Sequence, residues 1–223
     1  MDPTPAVRIT YYLEVVSSWC WWTEPAWTAL KVRYDGRVGF DWKIALMDAS
    51  GFPVSRDQCE WFYRRSGVLT RSPYMLHSGW FEPALTEYQA PNRVAEAARD
   101  LGITDDRVRL ALAQAALREG RPVGRWEVAV EVAAAAGGLD PQALLERAQS
   151  VAVEDRCRAT TAEFHALQVS QRPTFVLDSA IGDRVVLSGV WRFRPIAAAL
   201  DSLLEDAAGY TAFAAHFGGP PAS

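Results

Sequence analysis

The run Ser17-Ser18-Trp19-Cys20 is where the side-chain types and spacing of this chain could do chemistry. A hydroxyl and a thiol three residues apart at the start of a helix share one helix face. The unpaired amides and positive dipole end of a helix N-terminus favour negative charge, so a thiol or thiolate held there is stabilised. Dithiol exchange needs an attacking thiolate and a second thiol that resolves the mixed disulfide. With serine in the first place, Ser17 and Cys20 cannot run that cycle alone. A serine hydroxyl is not a redox group, but it can donate a hydrogen bond to an incoming thiolate. Ser17 could equally be a plain helix cap, a common use of serine. Cys20-Trp21-Trp22-Thr23 offers a second register, Cys-x-x-Thr.

Several other chemistries are excluded. The three cysteines, Cys20, Cys59 and Cys157, lie far apart with no CxxC pair, which argues against a disulfide framework and against metal binding. Cys59 and Cys157 fall in helical patterns and read as buried, inert thiols. His77, His165 and His216 are scattered, and His165 reads as a packing residue in an amphipathic stretch. There is no P-loop and no glycine-rich dinucleotide fingerprint. A net charge of −4 leaves no basic footprint for nucleic acid, and no apolar run reaches the length of a membrane span. The expected partner is a small-molecule or thiol substrate, with no nucleic acid and no membrane, and a homodimer stays open. The start, Met1-Asp2-Pro3-Thr4-Pro5, lacks the basic-then-apolar pattern of a secretory signal, so the cytoplasm is the expected compartment. Arg64, Arg65 and Arg71 read as solvated surface charge. Trp19, Trp21, Trp22 and Trp27 cluster around the Ser17–Cys20 run, and packing accounts for most of them. Trp19, between Ser17 and Cys20, is the one read as facing a ligand.

The elements that must position these residues follow from composition and periodicity. Val7 to Val16 is rich in β-branched and aromatic residues and predicts a strand. Ser17-Ser18 caps a helix from Trp19 through Tyr34, Asp35-Gly36 stops it, and Val38 to Leu46 predicts a second strand. A β-α-β opening implies a parallel pair with a right-handed crossover. A short helix is predicted at Arg56–Arg65, then helices at Arg93–Asp100, from the Thr104-Asp105-Asp106 cap to Glu119, at Arg125–Ala136, Pro141–Ala148 and Ala152–Leu167. Thr174–Asp178 and Arg184–Ser188 read as a hairpin, Pro195–Ala207 as a final helix, and the tail after Gly209 as frayed. Two separate pieces, 1–47 and 168–223, must therefore build one sheet, with a helical insertion, 48–167, between them.

That order resembles the thioredoxin fold with the helical insertion of the DsbA group, an α/β class. Glu14-Val15-Val16-Ser17-Ser18-Trp19-Cys20-Trp21 resembles the strand-to-helix junction D-x-x-C-P-W-C-Y of the FrnE-like branch, with Ser17 and Ser18 in place of Cys and Pro. Val169-Ser170-Gln171-Arg172-Pro173-Thr174-Phe175-Val176 is similar to a G-V-P-T-F segment whose proline is cis and faces the active site. Gly189 through Pro195 resembles the family's closing glycine turn and last helix. Thioredoxin-like helices carry a kinking proline eight residues after the first cysteine. Pro25 stands at that distance from Ser17, which favours Ser17 over Cys20 as the nucleophile position.

The resemblance implies Ser17 and Cys20 as catalytic residues, and Trp19, Arg172, Pro173 and Thr174 as substrate contacts. Kappa-class glutathione transferases and 2-hydroxychromene-2-carboxylate isomerases share the insertion and resemble this chain in having serine at that place, where it orients the glutathione sulfur. Their Ser-Pro-Tyr/Phe-Ser signature is not reproduced, and Val190-Trp191-Arg192-Phe193-Arg194 has no acid where they hold the glutamyl end. No metal and no tightly bound cofactor is expected; glutathione is the one cofactor the resemblance allows. Three functions follow: an oxidoreductase-family protein acting on thiols or thiol adducts, a glutathione-dependent transferase or isomerase, and a degenerate binding protein. The cap formed by the helical insertion is expected over the active-site end of the sheet, with a groove beneath it lined by Trp19.

Overall fold

The computed structural model describes residues 5–85 and 87–219. Strand β1 (Val7–Leu13) is central: it pairs in parallel with β2 (Val38–Ile44), Val7 opposite Val38, and antiparallel with β3 (Thr174–Ser179), Tyr11 opposite Phe175. Strand β4 (Arg184–Ser188) closes the other edge, giving the order β2-β1-β3-β4. Alternation on β1 sends Val7, Ile9, Tyr11 and Leu13 into the main core. Tyr12 goes to a second cluster with Ala45, Phe164 and Val176. From Ile9 onward β1 is covered on both faces, which explains why only Arg8 is an exposed residue in it.

Helix α1 (Ser18–Arg33) crosses from β1 to β2 and buries Trp27 and Leu30. Full burial of such side chains is worth roughly 1.5–3 kcal/mol each. Strand β1 stops at Leu13, three residues short of the predicted Val16, because Glu14 to Val16 turn into the helix and Ser17 N donates to Glu14 O at 3.1 Å. The insertion consists of α2 (Arg56–Thr70), α3 (Gln89–Asp100), α4 (Arg107–Leu117), α5 (Trp126–Gly137), α6 (Pro141–Ala148) and α7 (Val151–Ala166). Helix α3 is its centre and is buried on nearly every face. Helix α8 (Phe193–Phe217) returns to pack on β1, β3 and α1.

Four local expectations need correction. Helix α2 continues to Thr70, past Arg65, because Tyr63, Ser66 and Gly67 keep a buried face through the extra turn. Asp106 does not cap α4 through its side chain. Its carboxylate instead accepts from Lys31 Nζ at 2.6 Å and from Trp27 Nε1 at 3.2 Å. Helix α8 runs ten residues beyond Ala207 instead of fraying. The alanines at 207, 208, 212, 214 and 215 favour helix, and one interior glycine, Gly209, costs only about 1 kcal/mol. The last residues of the expected tail, 220–223, lie outside the described residues. His165 is exposed and meets the Phe164 ring edge-on at 5.3 Å.

Candidate functional site

The junction of β1 and α1 places the Ser-x-x-Cys run. Ser17 has extended backbone angles, φ −75° and ψ 122°, and stands at the N-cap of α1. Its Oγ accepts the amide hydrogen of Cys20 at 3.4 Å, while its carbonyl accepts from Trp21 N at 3.0 Å. Thr23 Oγ1 donates to the Trp19 carbonyl at 2.8 Å, and the Tyr11 hydroxyl donates to the Cys20 carbonyl at 3.2 Å. The first turn is thus fixed by its own caps and by the central strand.

A cavity of about 260 Å³ opens at this turn. One side is Val16, Ser17, Ser18 and Trp19, and the floor is Ser170, Gln171 and Arg172. The opposite side comes from the insertion, through Phe52, Cys59, Phe62, Tyr63, Arg65 and Trp80. The insertion therefore covers the end of the sheet at which Ser17 stands. Trp19 also meets Trp191 at 6.2 Å between ring centroids.

Not every expected residue reaches this cavity. Ser17, Trp19 and Arg172 do; Cys20, Pro173 and Thr174 are absent from its wall. The Arg172–Pro173 peptide bond is cis, and the Pro173 carbonyl accepts from Gly189 N at 2.8 Å. Gly189 has φ +70°, the left-handed region that glycine enters without strain. Thr174 is fully buried, with Oγ1 donating to the Gln171 carbonyl at 2.6 Å. It fixes the turn into β3 and does not face the cavity. Arg172 is spent on structure too: Nε and Nη2 donate to the carbonyls of Ala45 and Leu46, and the guanidinium lies 4.3 Å over the Phe164 ring.

Cys20 is turned inward, 3% exposed, towards Glu14, Glu24 and Arg109. Burial pushes its thiol up to about 11, only partly offset by hydrogen bonding to Ser17. Glu14 lies beneath the junction. Its carboxylate accepts from Asn92 Nδ2 and, at 3.1 Å, from Met47 N, while Asn92 Oδ1 accepts from Val15 N at 3.1 Å. Burial pushes the Glu14 carboxyl up to about 7, against the opposing effect of the Asn92 hydrogen bond. Asn92 thereby ties helix α3 to the strand end that carries Ser17.

Sequence reasoning did not assign the far wall. Cys59 is as buried as its helical pattern suggests, yet it borders the same cavity as Ser17, and burial pushes its thiol up to about 11. Trp80 Nε1 donates to the Tyr63 hydroxyl beside it at 2.6 Å. Arg65, read as surface charge, lies 5.0 Å over both the Trp61 and Phe62 rings at the cavity. No motif in the sequence distinguishes these residues; the apolar spacing of α2 marks only that one face is covered. Among the described residues no group of His, Cys, Asp and Glu side chains could hold a metal ion, and no helix is long and apolar enough to cross a membrane.

The DSBA-like thioredoxin domain matches residues 8–201. The chain belongs to that family. Its fold is shared with cytosolic disulfide reductase DsbM from Pseudomonas aeruginosa, at 19% identity over 89% of this chain and 98% of that one, with a TM-score of 0.70. A protein provisionally described as a disulfide isomerase from Nitrosomonas europaea gives 19% identity, 90% and 98% coverage and a TM-score of 0.70. A probable DsbA oxidoreductase from Streptomyces coelicolor gives 17%, 88% and 89%, and 0.67. At these identities the likeness is one of fold. Among curated proteins, none matches the sequence. Within this DSBA-like family setting, the thioredoxin fold with its helical insertion, expected from element order, is the fold observed.

Proposed function

We propose that this DSBA-like protein acts on small thiols or thiol adducts at the Ser17–Cys20 turn, with the ligand supplying the sulfur that a first cysteine would otherwise carry. One observation carries the reading: Ser17 stands in the cavity wall while Cys20 is turned away from it. The Ser17 oxygen accepts from the Cys20 amide and its hydroxyl lies within hydrogen-bonding reach of the Cys20 thiol, so a ligand sulfur in the cavity would take over the O–H that now faces that thiol. Ser18 and Trp19, in the same wall, occupy the first positions of α1, whose amides have no partner within a helix. A ligand thiolate there meets a hydroxyl donor and the positive end of a 16-residue helix. The Cys20 thiol, raised to about 11, stays protonated at neutral pH and does not compete as nucleophile.

Glutathione is the thiol we favour. Arg65 supplies a cation at the cavity for a carboxylate, and one solved structure of the DsbM reductase holds glutathione. The same arrangement suits glutathione-dependent transfer or isomerisation, in which Ser17 orients the thiolate and a second substrate takes the sulfur. The test is calorimetric titration with reduced glutathione and with S-hexylglutathione, which has no ionisable thiol. Ser17→Ala should weaken reduced glutathione about tenfold, the value of one hydrogen bond to a charged group, and leave S-hexylglutathione almost unchanged. Failure of the native protein to bind either compound would sink the reading.

A further inference from the structure

We propose that the second half of α8 is an interface for another copy of this chain, the two helices packing antiparallel. One apolar seam runs along α8 at alternating spacings of four and three residues, the heptad pattern of paired helices. Its first half, Ile196, Leu200, Leu203 and Ala207, is buried in the domain, where α8 packs on β1, β3 and α1. Its second half, Tyr210, Ala214 and Phe217, keeps the spacing but has no cover. Every residue from Ala208 to Gly219 is exposed. Tyr210 is 66% exposed, Phe217 is 68% exposed, and Phe213 beside the seam is 61% exposed. The DSBA-like match ends at residue 201, before this half begins. The inference is independent of the thiol reading.

Side-chain size selects the occupant. Small and large residues alternate along this end of the seam, in the order Ala207, Tyr210, Ala214, Phe217. When two copies are reversed about Ala212, Tyr210 of each comes opposite Ala214 of the other. Phe217 falls level with the other copy's Ala207, at the rim of that copy's domain. Both central layers then set one ring against one methyl, the large-against-small filling that packed helices favour. A parallel pair would set ring on ring and leave a void between facing alanines, which is costly. The domain itself opposes the parallel pair, because it already covers the seam from Ile196 to Ala207. The ten residues from Ala208 to Phe217 give roughly 15 Å of free helix, nearly three turns, for the pairing.

Charge points the same way. Residues 207–217 include no Lys, Arg, Asp or Glu, in a chain where those types make up 22%. Residues 195–223 hold no Lys or Arg, and Asp201, Glu205 and Asp206 precede the free half. An anionic membrane would repel such a segment, and helices that lie on membranes carry basic residues on their polar face. The matching surface is uncharged and alternates small with large, and a second copy supplies it. Area sets the strength. With about 150–250 Å² per aromatic side chain, the three rings at these exposures offer roughly 300–500 Å² per copy. Two copies therefore bury roughly 600–1,000 Å² from the rings, with the intervening alanines adding to it. Interfaces below about 1,200 Å² are those of weak complexes. The dimer is therefore reversible and concentration-dependent.

Sedimentation velocity of the full chain, from about 2 to about 200 µM, reads the association. The mass should rise from one chain towards two across that range. Tyr210→Glu and Phe217→Glu should each weaken association about tenfold or more, since each places a charge in an apolar contact. Neither ring is packed in the domain, so urea unfolding of both variants should match the native chain. Orientation has its own test. Ala214→Tyr sets ring against ring in the antiparallel pair and should weaken it about tenfold by overpacking. Adding Tyr210→Ala to that variant exchanges large for small on both helices and should restore native association. Ser17→Ala should associate like the native chain, which separates this interface from the thiol reading. Flotation with vesicles containing phosphatidylserine tests the other occupant, a membrane. A chain that stays monomeric at the highest concentration, or a dimer that both glutamate variants leave intact, would overturn the proposal. So would a double variant that does not recover, or vesicle binding that Tyr210→Glu abolishes.

Discussion

Ser17 Oγ accepts the Cys20 amide hydrogen at 3.4 Å and lies close enough to hydrogen-bond the Cys20 thiol, yet the two side chains border different spaces. Ser17 borders the cavity beneath the insertion, and Cys20 borders the packed interior beside Glu14 and Arg109. The hydroxyl is presented and the thiol is withheld. Several expectations rest on that division.

Replacing Ser17 by cysteine puts a thiol at a helix N-terminus, one turn before Cys20. The helix dipole and free amides should lower the new thiol's pKa. Ser17→Cys should lose about two free thiols on mild oxidation, regain them with dithiothreitol, and reduce insulin where the native protein does not. Loss of the serine cap should also cost the reduced variant about 1 kcal/mol in urea unfolding. A variant whose thiols never pair would mean that Ser17 is only a cap.

The three native cysteines should resist alkylation. Burial pushes Cys20 and Cys59 up to about 11 and Cys157 up to about 12. At pH 7 the thiolate fraction of Cys20 is on the order of one in ten thousand. Iodoacetamide labelling of the folded chain, followed by mass spectrometry, should be slow and should quicken roughly tenfold per pH unit above neutrality. Rapid labelling of Cys20 at pH 7 would return the Cys-x-x-Thr register to favour.

Glu14 should make the folded chain less stable as pH rises through neutrality. Its carboxyl ionises near 4.5 when exposed and at about 7 when folded, with burial as the main cause. Between those values the folded state keeps a proton that the unfolded state has lost. The stability this supplies is fully present below pH 4.5 and is lost as pH passes 7. The change is on the order of 3 kcal/mol. Glu14→Gln cannot ionise, so urea unfolding from pH 5 to pH 8 should show a flatter profile for the variant than for the native chain. Identical slopes would show that Glu14 ionises alike in both states.

Arg109 should prove a stability residue. It is 3% exposed, pairs with Glu24 at 2.6 Å and with Asp106 at 2.9 Å, and joins α4 to α1. Arg109→Met leaves the Glu24 carboxylate buried without a partner, which typically costs about 3–5 kcal/mol. Urea titration of the variant at pH 7 measures the loss. A change under 1 kcal/mol would mean that water reaches Glu24.

Local sequence carried much of this. The β-branched and aromatic run at Val7, the Ser17 cap and the Asp140-Pro141 start of α6 are short-range signals, and each element starts within a residue of where it was expected. The order of strands and helices then restricted the sheet to two separated segments, because a β-α-β opening and a closing hairpin must share one core. Helix ends were less legible. Tyr63 to Gly67 and Ala207 to Phe217 extend their helices through packing or composition beyond the stops that single residues suggested.

The sequence by itself therefore determined the fold and the turn that carries Ser17 and Cys20, since both depend on propensity, capping and periodicity over a few residues. Only the tertiary structure decided what each side chain faces. Spacing puts Ser17 and Cys20 on neighbouring positions of one turn, but the packing of β1, α3 and α4 around it turned Cys20 inward and left Ser17 at the cavity. The same packing brought Cys59 and Arg65 from α2, and Gln171 and Arg172 from before β3, to one cavity. These pairings join segments that are tens to more than a hundred residues apart. No local pattern encodes them, because they arise from how whole faces of helices and sheet close against one another.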